Sequence, residues 1–267
     1  MKRLSKLIKV ILLSLGYVGI YYGATFLVQL IYLLWQKSLV GTSLSEIEIN
    51  ITNNSYALSV IASVLSFWIY LVIGKVRKCS LEEIIENRKK PPVISAMAVC
   101  LAVGMRFLVT AYYSFSQNIE ILKKSIDEAS AITPELTGMT SLVITLFSVV
   151  VIAPLFEELL FRGIIMRDFM KIMRPWAAIT LQAVFFGAAH AVLFQSIFAF
   201  AVGIILGVVY YKTHSLKTVA ICHGAFNISV ILAQNELGAT ESIIMTVIGL
   251  VITVFALTYI IANSKEQ

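Results

Sequence analysis

Charge is what this sequence has least of. Only 13% of its 267 residues are Asp, Glu, Lys or Arg, about half the share found in a soluble domain. With 59% hydrophobic residues and a mean hydropathy of +0.89, that deficit excludes an ordinary solvated surface and points to a bilayer. The three cysteines, Cys79, Cys100 and Cys222, have neither metal nor redox spacing, which excludes a disulfide framework. No internal repeat is visible, so the inverted halves common in transporters are missing. The basic excess, 21 Lys and Arg against 15 Asp and Glu, lacks the interleaved aromatics of a nucleic-acid surface. Nucleic acid is therefore not the expected partner, and the net charge of +6 reads as a topology signal and an attraction to lipid head groups.

What is present is apolar length. Windows of about 20 residues, enough for a hydrocarbon core of about 30 Å, fall at 10–35, 57–74, 93–113, 141–167, 176–193, 197–212, 217–233 and 242–262. The expected fold is an all-α polytopic membrane bundle of about eight transmembrane helices. It forms a single membrane domain over 1–267, with a catalytic core at about 141–233. The basic start MKRLSKLIKV resembles a signal peptide, but the apolar run reaches Trp35, too long for a cleaved one, so a retained first helix is expected. Basic residues collect at 2–9, 75–90, 162–174, 212–217 and 265. By the positive-inside rule this makes both ends cytoplasmic. An integral membrane protein follows, in the plasma membrane if the source is bacterial. The fifth and sixth segments look short enough for a tight hairpin around Leu193–Ser196. The stretch near Asn50 reads as an outer loop, and 114–138 as either an amphipathic surface helix or a solvated connector.

Against that background FEELLFRG, 156–163, is anomalous, because a charge inside a bilayer costs roughly 3 kcal/mol or more. At about 1.5 Å per residue, Glu157 and Glu158 lie well inside the fourth helix. Glu158 and Arg162 are i and i+4, placed to form a charge-assisted pair. Glu157 lies about 100° further round and is left for another task. Two of the three histidines fall at similar depth: His190 in FFGAAHA, four residues after Phe186, and His223 in CHGAFN, four before Asn227. His214 sits among Lys212, Thr213 and Lys217 and reads as solvated. A carboxylate, two imidazoles and a carboxamide at one level can activate water and stabilise an oxyanion. Glu157 would be the general base with His190 holding the water, His223 and Asn227 the oxyanion donors, and Glu158 with Arg162 the scaffold. The bland alternatives are an interfacial Glu pair, a packing role for His190 and interhelical hydrogen bonding for Asn227. Arg106 reads as structural, and Cys222 as no nucleophile, since adjacent helical positions diverge.

Glu157-Glu158-x-x-x-Arg162, Phe186-x-x-x-His190 and His223-x-x-x-Asn227 resemble, in order and spacing, the three motifs of the CPBP family of intramembrane endopeptidases, also called the CAAX prenyl protease 2 or Abi family. The resemblance covers about 141–233. It implies an eight-helix membrane protease in which Glu157 activates water with His190, His223 and Asn227 stabilise the oxyanion, and Glu158 and Arg162 support them. That family was named as metalloproteases. Here no HExxH or compact ligand pair is present, so a divalent metal such as zinc and a metal-free water fit the residue types equally. The implied partners are a peptide or membrane-anchored protein substrate and the lipid bilayer; relatives act in CAAX processing, peptide maturation and bacteriocin immunity. A non-catalytic membrane scaffold or immunity protein, and a small-solute transporter, are the alternative functions.

Overall fold

The computed structural model describes residues 2–77, 88–131, 138–232 and 239–264. Cys79, the basic positions Lys78 and Lys265, and the end of the outer segment at 132–137 lie outside the described residues. Each of the eight apolar windows is mainly helical over its described residues, with a turn at 189–192 inside the fifth. We number the elements α1 (Lys2–Trp35), α2 (Leu44–Asn53), α3 (Ser55–Val76), α4 (Pro92–Ser116) and α5 (Glu120–Ala131). A long α6 runs from Gly138–Leu146 through Phe147–Ile152, Ala153–Glu158 and Leu159–Met166 to Arg167–Met170. After it come α7 (Pro175–Ala188), α8 (Leu193–Thr213), α9 (Leu216–Leu232) and α10 (Ala239–Asn263). No β-strand occurs among the described residues. Six helices are long and apolar enough to cross a membrane, while α7 and α9 are shorter. The chain is an integral membrane helical bundle.

Local sequence explains the boundaries. α4 and α7 each begin with proline at the first helical position, where its missing N–H costs nothing. α1 runs into a π-helical turn, Gln36–Val40, stopped by Gly41 at φ 75, a left-handed conformation that glycine adopts without strain. The stretch near Asn50 is not the expected loop. Ser43 and Glu46 form a capping box, which satisfies two orphan amides at once and starts α2. In the outer segment the amphipathic reading holds: α5 buries Leu122, Ile126 and Ala129 and exposes Ile121. The hairpin turn lies at 189–192, earlier than the expected Leu193–Ser196, because Leu193 already opens a full 21-residue helix. His190 consequently sits in the turn and not within α7.

The basic end is drawn together. Arg77 after α3 donates to Asp168 on α6 at 2.7 Å and to the Tyr17 hydroxyl of α1 at 2.5 Å. The bond to Asp168 raises the Arg77 pKa above its usual value, and Lys171 adds a second bridge to the same carboxylate at 3.1 Å. The Arg88 amide donates to the His214 carbonyl at 2.9 Å, and Lys90 to that of Ser264 at 3.2 Å. These contacts gather the ends of α3, α4, α6, α8 and α10 on one side.

Small residues set the helix spacing, as expected where lipid removes the hydrophobic drive between helices. α4 and α10 meet at Gly104, where an added Cβ would lie 2.5 Å from Thr253 Oγ1 and 2.8 Å from its backbone nitrogen. The backbone cannot yield, so Gly104→Ala is expected to destabilise the protein by about 1–3 kcal/mol. Gly16→Ala on α1, where nothing lies within 4 Å, should leave stability unchanged. Thermal unfolding of both variants in detergent checks the contrast.

Candidate active site

The site is built on α6. Residue 154 is proline, inside a helix, and a π-helical stretch, Phe147–Ile152, lies just before it. There the Ala153 amide bonds to the Ser148 carbonyl, five residues back. The next bond of that pattern would join residue 154 to Val149, and proline has no N–H to make it. Asn227 of α9 takes its place, donating from Nδ2 to the Val149 carbonyl at 2.8 Å. At Gly224 an added Cβ would collide with the Val150 carbonyl, so α9 can reach α6 only because that residue is glycine. The sequence GAFN thus docks α9 on the interruption that Pro154 makes.

A second π-helical stretch, Leu159–Met166, follows the glutamates; such wide turns recur at functional sites. Arg162 Nη1 donates to Glu158 Oε1 at 2.9 Å, with the two side chains 0% and 1% exposed. The same Oε1 accepts from His223 Nδ1 at 2.8 Å. Arg162 Nη2 donates to the Gly203 carbonyl of α8 at 3.2 Å, and its guanidinium lies over the Phe186 ring at 4.7 Å. Gln182 Nε2 donates to the same Gly203 carbonyl at 2.8 Å. The expected scaffold pair is therefore the hub of a network reaching α7, α8 and α9.

Glu157 stands apart from this hub. Its side chain is 27% exposed, and Oε2 lies 3.7 Å from His223 Nε2. A water beside both groups could contact each of them. His190 joins through Phe186, whose ring packs edge-on to both imidazoles, at 4.9 Å from His190 and 5.8 Å from His223. His190 Nδ1 donates to the Phe186 carbonyl at 2.9 Å. A carbonyl only accepts, so Nδ1 carries a proton, and in the neutral ring Nε2 keeps its lone pair. Glu157, Glu158, Arg162 and His223 thus form one cluster, with His190 beside it; Asn227 is one turn further along α9 with one amide hydrogen committed to Val149.

The other candidates fall outside. Arg106 donates from Nε to the Ser229 carbonyl at 3.1 Å and from Nη1 to Thr110, joining α4 to α9. His214 ends α8 in a left-handed conformation at φ 48. Cys222 is fully buried, which leaves a thiol inert. Among the described residues no three His, Cys, Asp or Glu side chains converge in metal-holding geometry. Glu158 is engaged by Arg162 and His223, so it is not free to act as a metal ligand. Sequence reasoning missed Gln182, Tyr22 and Tyr21, whose ring packs at 5.0 Å on Phe156, next to Glu157 in the chain. Gln182 had a signal, as a lone amide in an apolar run; the tyrosines had none beyond their adjacency.

A cavity of about 790 Å³ adjoins the cluster, lined by Ser63, Phe67, Val151, Leu155, Glu158 and Lys217 among others. Its walls come from α3, α6 and α9, and nearly all are apolar. Residues 139–229 match the family model for Rce1-like, type II CAAX prenyl endopeptidases. Over this segment the chain is similar to the CAAX endopeptidase family. The match covers about a third of the chain and includes all seven motif residues of the CAAX endopeptidase resemblance, from Glu157 to Asn227. No curated protein and no solved structure matches the chain.

The hub makes a stability prediction. Removing one partner of a buried ion pair leaves the other charge uncompensated, at about 3–5 kcal/mol. Arg162→Met should therefore destabilise the protein by about that amount, and adding Glu158→Gln should recover part of it. Denaturant unfolding of the single and double variants in detergent measures the coupling.

Proposed function

We propose that this protein is an intramembrane endopeptidase that hydrolyses a peptide bond with a water activated by Glu157. The observation that carries the reading is the division of labour between adjacent glutamates. Glu158 is buried and held by Arg162 and His223, while Glu157 is partly exposed and 3.7 Å from His223 Nε2. A carboxylate free of the ion pair is the group able to accept a proton.

In this reading a water lies between Glu157 and Nε2 of His190, both proton acceptors. Glu157 takes one proton as the water oxygen attacks the carbonyl carbon. Negative charge then grows on the carbonyl oxygen. In its imidazolium form His223 is oriented for it: Nδ1–H is held by Glu158, and Nε2–H points toward the Glu157 side. Asn227 contributes its second Nδ2 hydrogen, the first remaining on Val149. Loss of one such donor costs about 10²–10³ in rate in known hydrolases. Collapse of the tetrahedral intermediate breaks the C–N bond, and the proton carried by Glu157 passes to the leaving amine.

The activity of the matched family is that of a CAAX prenyl endopeptidase, and a substrate with an apolar membrane anchor suits the lined cavity between α3, α6 and α9. The substrate proposed is a membrane-associated peptide or lipid-anchored protein whose chain lies along that cavity. A farnesylated CAAX peptide is the first probe, with the membrane peptidome of expressing cells as the wider screen.

Glu157→Gln keeps the shape of the side chain and removes the base. Cleavage should fall by about 10²–10⁴ at unchanged abundance, and His190→Ala should fall with it, as read by mass spectrometry of the products. Indistinguishable peptidomes from wild type and variants would replace the protease reading with that of a non-catalytic scaffold.

A further inference from the structure

The turn that carries His190 is in a difficult place. α7 has 14 residues, about 21 Å of rise against a hydrocarbon core of about 30 Å. Started at one interface, α7 ends short of the other, and non-helical backbone there is tolerated only if protein satisfies its polar groups. The turn is also strained. Ala191 has φ 58, in the left-handed region that a non-glycine residue seldom occupies, and the Val192 amide folds back on the His190 carbonyl at 2.6 Å. Such conformations persist where surrounding structure over-determines them.

Two side chains from distant elements supply that restraint. Tyr22 of α1 donates its hydroxyl to the carbonyl of Ala189, immediately before His190. Ser125 of α5 accepts from the Phe194 amide at 2.9 Å. That amide belongs to the first turn of α8, whose N-cap residue, Val192, makes no side-chain cap. Ser125 performs the capping from another helix. Tyr112 of α4 supports the same residue, stacking on the Phe194 ring at 4.9 Å and donating to its carbonyl at 3.3 Å. The amphipathic α5 is thus tied by its buried face to the turn bearing His190.

We propose that Tyr22 and Ser125 are positioning residues for His190, holding the strained turn from both flanks so that the imidazole keeps its place beside Phe186. The proposal rests on the role of His190 in hydrolysis argued above. Neither residue belongs to the three motifs.

The test uses the full chain in lipid nanodiscs with Tyr22→Phe, Ser125→Ala and Ser125→Thr. Hydrogen–deuterium exchange is followed over 189–194, and steady-state cleavage is measured with a farnesylated CAAX peptide. Tyr22→Phe and Ser125→Ala should each raise exchange in the turn and lower kcat about tenfold, the effect of one lost hydrogen bond, with KM unchanged. Exchange over 153–170 should not change, and Ser125→Thr, which keeps the hydroxyl, should behave as wild type. The proposal is overturned if kcat falls without faster exchange in the turn, if exchange rises with kcat intact, or if Ser125→Thr fails as Ser125→Ala does. A wild type that cleaves nothing overturns the protease reading, and the exchange data then decide alone whether these side chains hold the turn.

Discussion

A guanidinium and a carboxylate 2.9 Å apart, both withdrawn from water, are the constraint around which this bundle is arranged. In an apolar interior neither ion is tolerable alone, and even a pair needs its remaining hydrogen-bonding capacity met. Arg162 therefore reaches the Gly203 carbonyl and the face of Phe186, and Glu158 accepts from His223. Meeting part of those needs fixes α7, α8 and α9 against α6, while Glu158 Oε2 and Arg162 Nε find no partner among the described residues. The interactions that make the pair endurable also aim the imidazole of His223, so stability and site geometry share one set of contacts.

Pro154 acts in a complementary way. By denying a backbone donor to Val149 it creates an unsatisfied carbonyl inside the bundle, which Asn227 answers from the neighbouring helix. Gly224 lets the two backbones approach. Asn227 makes an interhelical hydrogen bond, and its proposed role in the site is compatible with that bond, because a carboxamide has two hydrogens to donate.

The His190 side of the site is organised differently. It has no ion pair at its centre and depends on a short helix, a strained turn and hydrogen bonds arriving from α1 and α5. The two halves of the site thus differ in what holds them. One is fixed by electrostatics within the bundle, the other by backbone satisfaction from peripheral helices, so His190 is the part most open to influence from outside the motifs.

Much of this was legible in the sequence. Eight apolar windows became helices because length and hydropathy are local properties that a bilayer reads directly. The Glu158–Arg162 pair was legible because i and i+4 always share a helix face, and the separateness of Glu157 followed from the same geometry. The helix at Leu44–Asn53 was missed although Ser43 and Glu46 announce it by their spacing. Other features were decided only in three dimensions. That His223 gives its Nδ1 to Glu158, that Asn227 answers Val149, and that Tyr22 and Ser125 hold the turn at His190 all join residues 65 to 167 positions apart. Periodicity within a helix fixes which face a residue occupies. Which helix that face meets depends on how close two backbones can come, and that is settled by packing.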